Sequence, residues 1–110
     1  MWTWYESVMR RPHIHVVPFL RRPSQRLLLK DWLAITIGSH IFAWRALDPV
    51  ERAHEEEHAR QWQRHGRLYV PRYLRASWRA RRKGLHRYWD NEFEVEARAA
   101  ATRTADALRR

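Results

Sequence analysis

Residues 54 to 58 read His-Glu-Glu-Glu-His. On an α-helix, residues four apart lie one above the other on one face, so His54 and His58 point two imidazoles at the same place. Two neutral imidazoles one turn apart can both reach a single Zn²⁺ at about 2.0–2.1 Å. Glu55 lies beside the pair, close enough to take a proton from a zinc-bound water and badly placed to ligate the metal itself. This is the H-E-x-x-H pattern, and its chemistry is metal-assisted hydrolysis. In a chain with seven histidines among 110 residues, the spacing arises by chance in roughly three such chains in a hundred, so the surrounding helix carries the argument. Of the two filler residues, Glu56 falls away from the histidine face. Glu57 is nearer and needs a partner or solvent.

The helix is well marked. Asp48 is a good N-cap, Pro49 suits the first helical position and Glu51 stands at the third, while Gly66 follows His65 as a stop. At 100° per residue, Val50, His54, His58, Gln61, Trp62 and His65 share one face. A core-facing helix of this length normally shows aliphatic residues there. This one shows mostly histidine, and burying imidazoles is costly unless something satisfies them; a bound cation does so.

A zinc enzyme needs a third protein ligand and an open fourth position for water. The chain has no cysteine, so that ligand is His, Asp or Glu. Glu92, Glu94 and Glu96 open a later helix, where Asp90 or Asn91 is the N-cap and Phe93, Ala97, Ala100 or Ala101, and Leu108 mark the buried stripe. Carboxylates in a first helical turn also answer the helix dipole without any metal. Glu94 and Glu96 lie about 200° apart on the wheel, so both cannot face one ion.

Other elements must position these groups. Leu33, Ile35 and Ile37 alternate with Trp32, Ala34 and Thr36, which predicts a strand. Gly38-Ser39 turns it into a hairpin with His40 to Trp44. Upstream, two Arg-Arg-Pro stops bracket HIHVVPFL, and Pro12 and Pro18 limit that piece to a short edge strand. Between the two charged helices, Tyr73, Leu74, Ser77, Trp78 and Ala80 form the inner face of a third helix. Arg72, Arg75, Arg79, Arg82 and Lys83 form its outer face. The expected fold is α+β: one domain over 1–110, with a segment 1–31 and a core 32–110. A small antiparallel sheet or hairpin packs on three helices near 49–65, 71–83 and 91–109.

With no run of 18 apolar residues, no membrane span is expected. The start lacks the basic-then-apolar order of a signal peptide, which points to a cytoplasmic protein. The net charge is +10, from 22 basic and 12 acidic residues. Only Lys30 and Lys83 among the basic residues are lysine. Such a surface suits acidic partners, nucleic acid among them.

HEEEHARQW followed some thirty residues later by DNEFEVEARAAA resembles the gluzincin metallopeptidases, in particular the minigluzincins, over roughly residues 32 to 101. The two motifs are H-E-x-x-H and E-x-x-A, the latter here Glu94-Val95-Glu96-Ala97. The resemblance implies a minimal zincin-like fold with His54, His58 and Glu94 as zinc ligands and Glu55 as general base. It also implies a peptide or protein substrate bound as an added strand on the hairpin edge, a mode in which main-chain bonds give affinity. The implied activity is zinc-dependent peptide-bond hydrolysis. Two readings stand beside it: a catalytically silent zinc-binding interaction domain, and a basic nucleic-acid-binding module built on the 72–83 arginine face with Trp78, Tyr88 and Trp89 as stacking residues. An oxyanion donor is also needed, for which Tyr88, His86 and a nearby Arg are the candidates.

The remaining histidines are weighed as ordinary polar residues. His13 and His15, two apart on a strand, face one side and can pair on a metal, though exposed edge strands carry such residues without one. His40 is similar, and His65 is most simply a cation at a helix C-terminus. The seven tryptophans are expected in the core.

Overall fold

The computed structural model describes residues 12–20 and 33–110. Trp2, Trp4 and Trp32, with the second Arg-Arg-Pro stop at 21–23, lie outside the described residues.

A three-stranded sheet comes first, formed by β1 (His13–Val16), β2 (Ala34–Ile37) and β3 (His40–Ala43) in the order β1-β3-β2. The β2–β3 hairpin forms as the sequence indicates. Gly38 takes φ 62°, and a glycine at the first central position of a two-residue turn suits the right-handed twist of the strands. The expected antiparallel sheet needs correction: β1 runs parallel to β3, so the sheet is mixed. Parallel neighbours require a long crossover connection rather than a tight turn. That connection has no local signature, whereas Gly38-Ser39 does. β1 is a short edge strand, as Pro12 and Pro18 require, and its inward Ile14 packs on a small core of Ala34, Ile41 and Ala43.

Helix α1 (Pro49–His65) has the predicted bounds. Asp48 Oδ1 accepts the Glu51 amide at 2.8 Å, and Glu51 Oε1 accepts the Asp48 amide at 3.0 Å, closing a capping box. Gly66 ends the helix with φ 56°. A 3₁₀ turn (Gly66–Leu68) leads directly into α2 (Tyr69–Arg82), which therefore starts earlier than the sequence suggests. Its inner face is also shifted. Tyr69, Tyr73, Ala76 and Ala80 turn inward, while Leu74 and Trp78 are 61% and 57% exposed. Trp89 is exposed as well, so the expectation of core tryptophans fails at these two positions. The side chains of Arg82 and Arg98 cover the Trp78 and Trp89 rings at 5.0 and 4.2 Å, and cation–π contact takes the place of burial. Helix α3 (Glu92–Leu108) packs along α1 through Ala59, Ala97 and Ala100, all buried. No described helix is long and apolar enough to cross a membrane.

Asn91 sets the start of α3. It is fully buried; its Oδ1 accepts the Phe93 amide at 2.8 Å, and its Nδ2 donates to the Tyr73 carbonyl at 3.0 Å and to Ser77 Oγ at 2.8 Å. One side chain thus caps α3 and ties it to α2. Asn91→Ala removes the cap and the two bonds that tie it to the Tyr73 carbonyl and Ser77 Oγ, a loss of about 2 kcal/mol. Urea unfolding at neutral pH measures it directly.

Candidate metal centre

Helices α1 and α3 bring three side chains to one point. The Nε2 atoms of His54 and His58 lie 3.3 and 2.9 Å from Glu94 Oε1. Ligand atoms of all three lie within 4.8 Å of one another, so the group can hold a metal ion. The two histidine rings meet edge to face, centroids 4.9 Å apart. Glu94 stands in the first turn of α3, the helix that packs most extensively on α1, and its buried carboxylate reaches both rings.

The surrounding hydrogen bonds decide which atoms face the ion. Gln61 is fully buried. Its Nε2 donates to the Phe93 carbonyl at 2.9 Å and to Glu96 Oε1 at 3.0 Å. Its Oε1 therefore faces the Tyr69 hydroxyl at 2.8 Å and His58 Nδ1 at 2.9 Å. His58 Nδ1 carries a proton for that bond, and Nε2 is left to face Glu94. An outer partner of this kind fixes the tautomer of a ligating histidine. On the other side, the Tyr73 hydroxyl donates to Glu94 Oε2 at 2.5 Å, leaving Oε1 for the two rings. A ring nitrogen and a carboxylate oxygen 2.9 Å apart both offer lone pairs, and they repel unless a proton or cation lies between. The donor set, two imidazoles and one carboxylate, suits zinc.

Without metal, a proton takes that place. Burial disfavours a charged His58, but the bond to Glu94, the charges of Glu94 and Glu55 and the bond to Gln61 outweigh it and raise its pKa above the ordinary 6.5. Burial likewise pushes Glu94 upward, but hydrogen bonds from His54, His58 and Tyr73 and the His58 charge hold it far below the usual carboxylate range.

Glu55 stands next to this group. Thr36 of β2 donates its hydroxyl to Glu55 Oε2 at 2.9 Å. Burial pushes its pKa up, partly opposed by the charges of His58 and His54 and by the Thr36 bond. Glu55, His58 and Glu94 open on a cavity of about 470 Å³ walled by β2, α2 and residues 87–88. His54 lies behind, toward a smaller cavity of about 220 Å³ beside Leu33, Leu47 and Val50.

The other candidates separate. Glu96 faces Gln61 rather than the ion site. Glu57 is satisfied by Arg60 and Arg64 at 3.1 and 2.9 Å, and Glu56 pairs with Arg52 at 3.2 Å. Tyr88 and Arg87 line the cavity. His86 does not line it; its Nδ1 accepts the Tyr88 and Trp89 amides. His65 is an acceptor for Arg72 at 2.8 Å rather than a simple terminal cation. Sequence reasoning named Asn91 as one of two N-cap candidates but missed the supporting roles of Thr36, Gln61, Tyr69 and Tyr73. Gln61 on the histidine stripe was the available signal. Comparison with protein-family models, with curated proteins and with solved structures finds no match.

Two outcomes follow from this geometry. Uptake of a divalent metal by this group would be abolished in Glu94→Ala and weakened about 10- to 100-fold in Gln61→Leu; competition with a chromophoric chelator reads both. The second concerns pH. The depressed Glu94 contributes stability above its unfolded value of 4.5, lost as pH falls through its lower folded value. The raised His58 contributes stability below 6.5, lost as pH rises through its higher folded value. The joint contribution of these two groups is therefore greatest between their two unfolded values, while the raised Glu55 contributes below 4.5 and loses that contribution as pH rises through its folded value. Metal must expel the His58 proton, so affinity falls as pH drops through the raised His58 pKa, at a higher pH than for a free imidazole. Thermal melts with and without chelator across pH test both signs.

Proposed function

We propose that the chain is a minimal zinc metallopeptidase of the gluzincin type, with a zincin-like arrangement of hairpin and three helices. The observation that carries this reading is a carboxylate, Glu55, poised beside a His-His-Glu ligand group at the wall of a cavity that an edge strand borders. His54, His58 and Glu94 hold the zinc. When bound, zinc polarises the scissile carbonyl and makes water acidic enough to be deprotonated at neutral pH. Glu55 takes that proton and passes it to the leaving amine. Its burial raises its basicity, which suits a group that must accept a proton and then release it. The Thr36 hydroxyl holds its orientation. Tyr88 and Arg87, on the cavity wall, are placed to donate to the developing oxyanion.

The substrate binds as an extended strand on β2. The Trp44 amide bonds to the Leu33 carbonyl, so Leu33, Ile35 and Ile37 direct their main-chain groups toward β3 and Ala34 and Thr36 direct theirs outward. The Trp62 indole N–H donates to the Thr36 carbonyl at 3.0 Å, in keeping with this. An added strand then finds main-chain partners at Ala34 and at the Thr36 amide. The apolar wall from Trp62, Val70, Tyr73 and Leu74 favours substrates with a bulky apolar side chain.

Cleavage of a peptide library by the zinc-loaded protein is the test. Glu55→Gln lowers kcat by about a thousandfold while zinc remains stoichiometric. Full activity in Glu55→Gln would remove the assigned base. A zinc-loaded wild type that cleaves nothing leaves the reading of a silent zinc-binding interaction domain.

A second activity is supported by the outer face of α2. Arg72, Arg75, Arg79, Arg82 and Lys83 are all exposed there, with Trp78, more than half exposed, under the Arg82 guanidinium beside them. Phosphate contacts plus base stacking are the chemistry of single-stranded nucleic-acid binding. Binding of labelled RNA or DNA that weakens steeply with salt, and more weakly so in Arg75→Ala/Arg79→Ala, checks it.

A further inference from the structure

We propose that the outer face of the sheet carries a second metal site, formed by His15 of β1 and His40 of β3 with His13 beside them, for a borderline divalent cation such as Cu²⁺. The parallel register places His13 opposite His40 and His15 opposite Phe42. Ile14 and Ile41 face the core, so these four rings share the solvent side of the sheet. They interleave from alternate strands as His13, His40, His15 and Phe42, with successive centroids 5.2, 5.2 and 5.0 Å apart and planes within 24°. His15 Nε2 and His40 Nδ1 approach to 3.0 Å. Two neutral imidazoles hold that contact only by sharing one proton. A metal ion replaces the shared proton with two dative bonds, and small ring rotations suffice because all three histidines are exposed.

The chemistry selects the ion. Imidazole suits zinc, copper and nickel, and affinity for a given nitrogen site peaks at Cu²⁺. The site is open to solvent, so water completes the coordination. Its effect is mechanical. β1 is a four-residue edge strand, and the two ligands lie 25 residues apart in the chain. A bound ion therefore clamps the N-terminal strand to the hairpin and stabilises the folded state by mass action. None of the three histidines belongs to the His54–His58–Glu94 group, so the site stands whether or not that group binds zinc.

The experiment uses the whole chain, loaded with one equivalent of Zn²⁺ and titrated with Cu²⁺ alone, followed by electron paramagnetic resonance and thermal melting. Expected are one further equivalent bound, a spectrum with imidazole nitrogen couplings and a raised Tm. His15→Gln/His40→Gln keeps a cross-strand hydrogen bond but offers no comparable ligand. It loses the copper spectrum and the Tm shift while zinc content is unchanged. His13→Ala weakens copper binding by about tenfold. Glu94→Ala, which disables the interior site, keeps the copper spectrum. A copper spectrum that survives in the double variant, or disappears in Glu94→Ala, places the ion elsewhere and overturns the proposal.

Discussion

Three lone-pair atoms, two imidazole nitrogens and a carboxylate oxygen, are held almost in contact in the interior between α1 and α3. Such an arrangement persists only with positive charge among them, supplied by a proton or by a metal ion. Much of the surrounding architecture serves that constraint. The capping box and Gly66 give α1 the length to carry both histidines. Asn91 fixes where α3 begins and hence the height of Glu94. Gln61 sets the His58 tautomer, and Tyr73 occupies the second Glu94 oxygen.

The small core has the same cause. Where a helix of this length would bury leucines, α1 buries His58, Ala59 and Gln61, and α3 buries Phe93, Glu94, Ala97 and Ala100. Small alanines among the buried residues leave these two helices with little apolar area to bury. The larger apolar residues gather instead at Phe93, Tyr69 and Trp62, beside the site. The centre is thus both a chemical device and part of what holds the two long helices together.

Much of this was legible in the residues. The bounds of α1 follow from Asp48-Pro49, Glu51 and Gly66, and the hairpin from Gly38-Ser39 between alternating runs. The site histidines follow from their spacing on a helix whose would-be core face is mostly histidine. Glu94 did not: the wheel shows only that Glu94 and Glu96 face different ways, and the resemblance to E-x-x-A had to choose between them. The parallel pairing of β1 was not legible, because it joins strands far apart in the chain with no tight turn between them to fix their direction. The outward turn of Leu74 and Trp78 was not legible either. Their apolar character suggested burial, while the phase of α2 is set by Tyr69 and Tyr73, whose hydroxyls seek Gln61 and Glu94. Polar partners inside the protein outranked apolar area.

Tyr73 has a reach beyond its hydrogen bond. It belongs to α2, a helix without a metal ligand, and it holds the far oxygen of Glu94. Withdrawing that hydroxyl would return electron density to the ligating oxygen and free the carboxylate to turn. Were an ion held there, the position of α2 and the occupancy of the group would be thermodynamically linked, and linkage is reciprocal. Anything that gripped the arginine-rich outside of α2 and drew Tyr73 away from Glu94 would alter how tightly a metal ion could be held there, and the ion would alter that grip by the same factor.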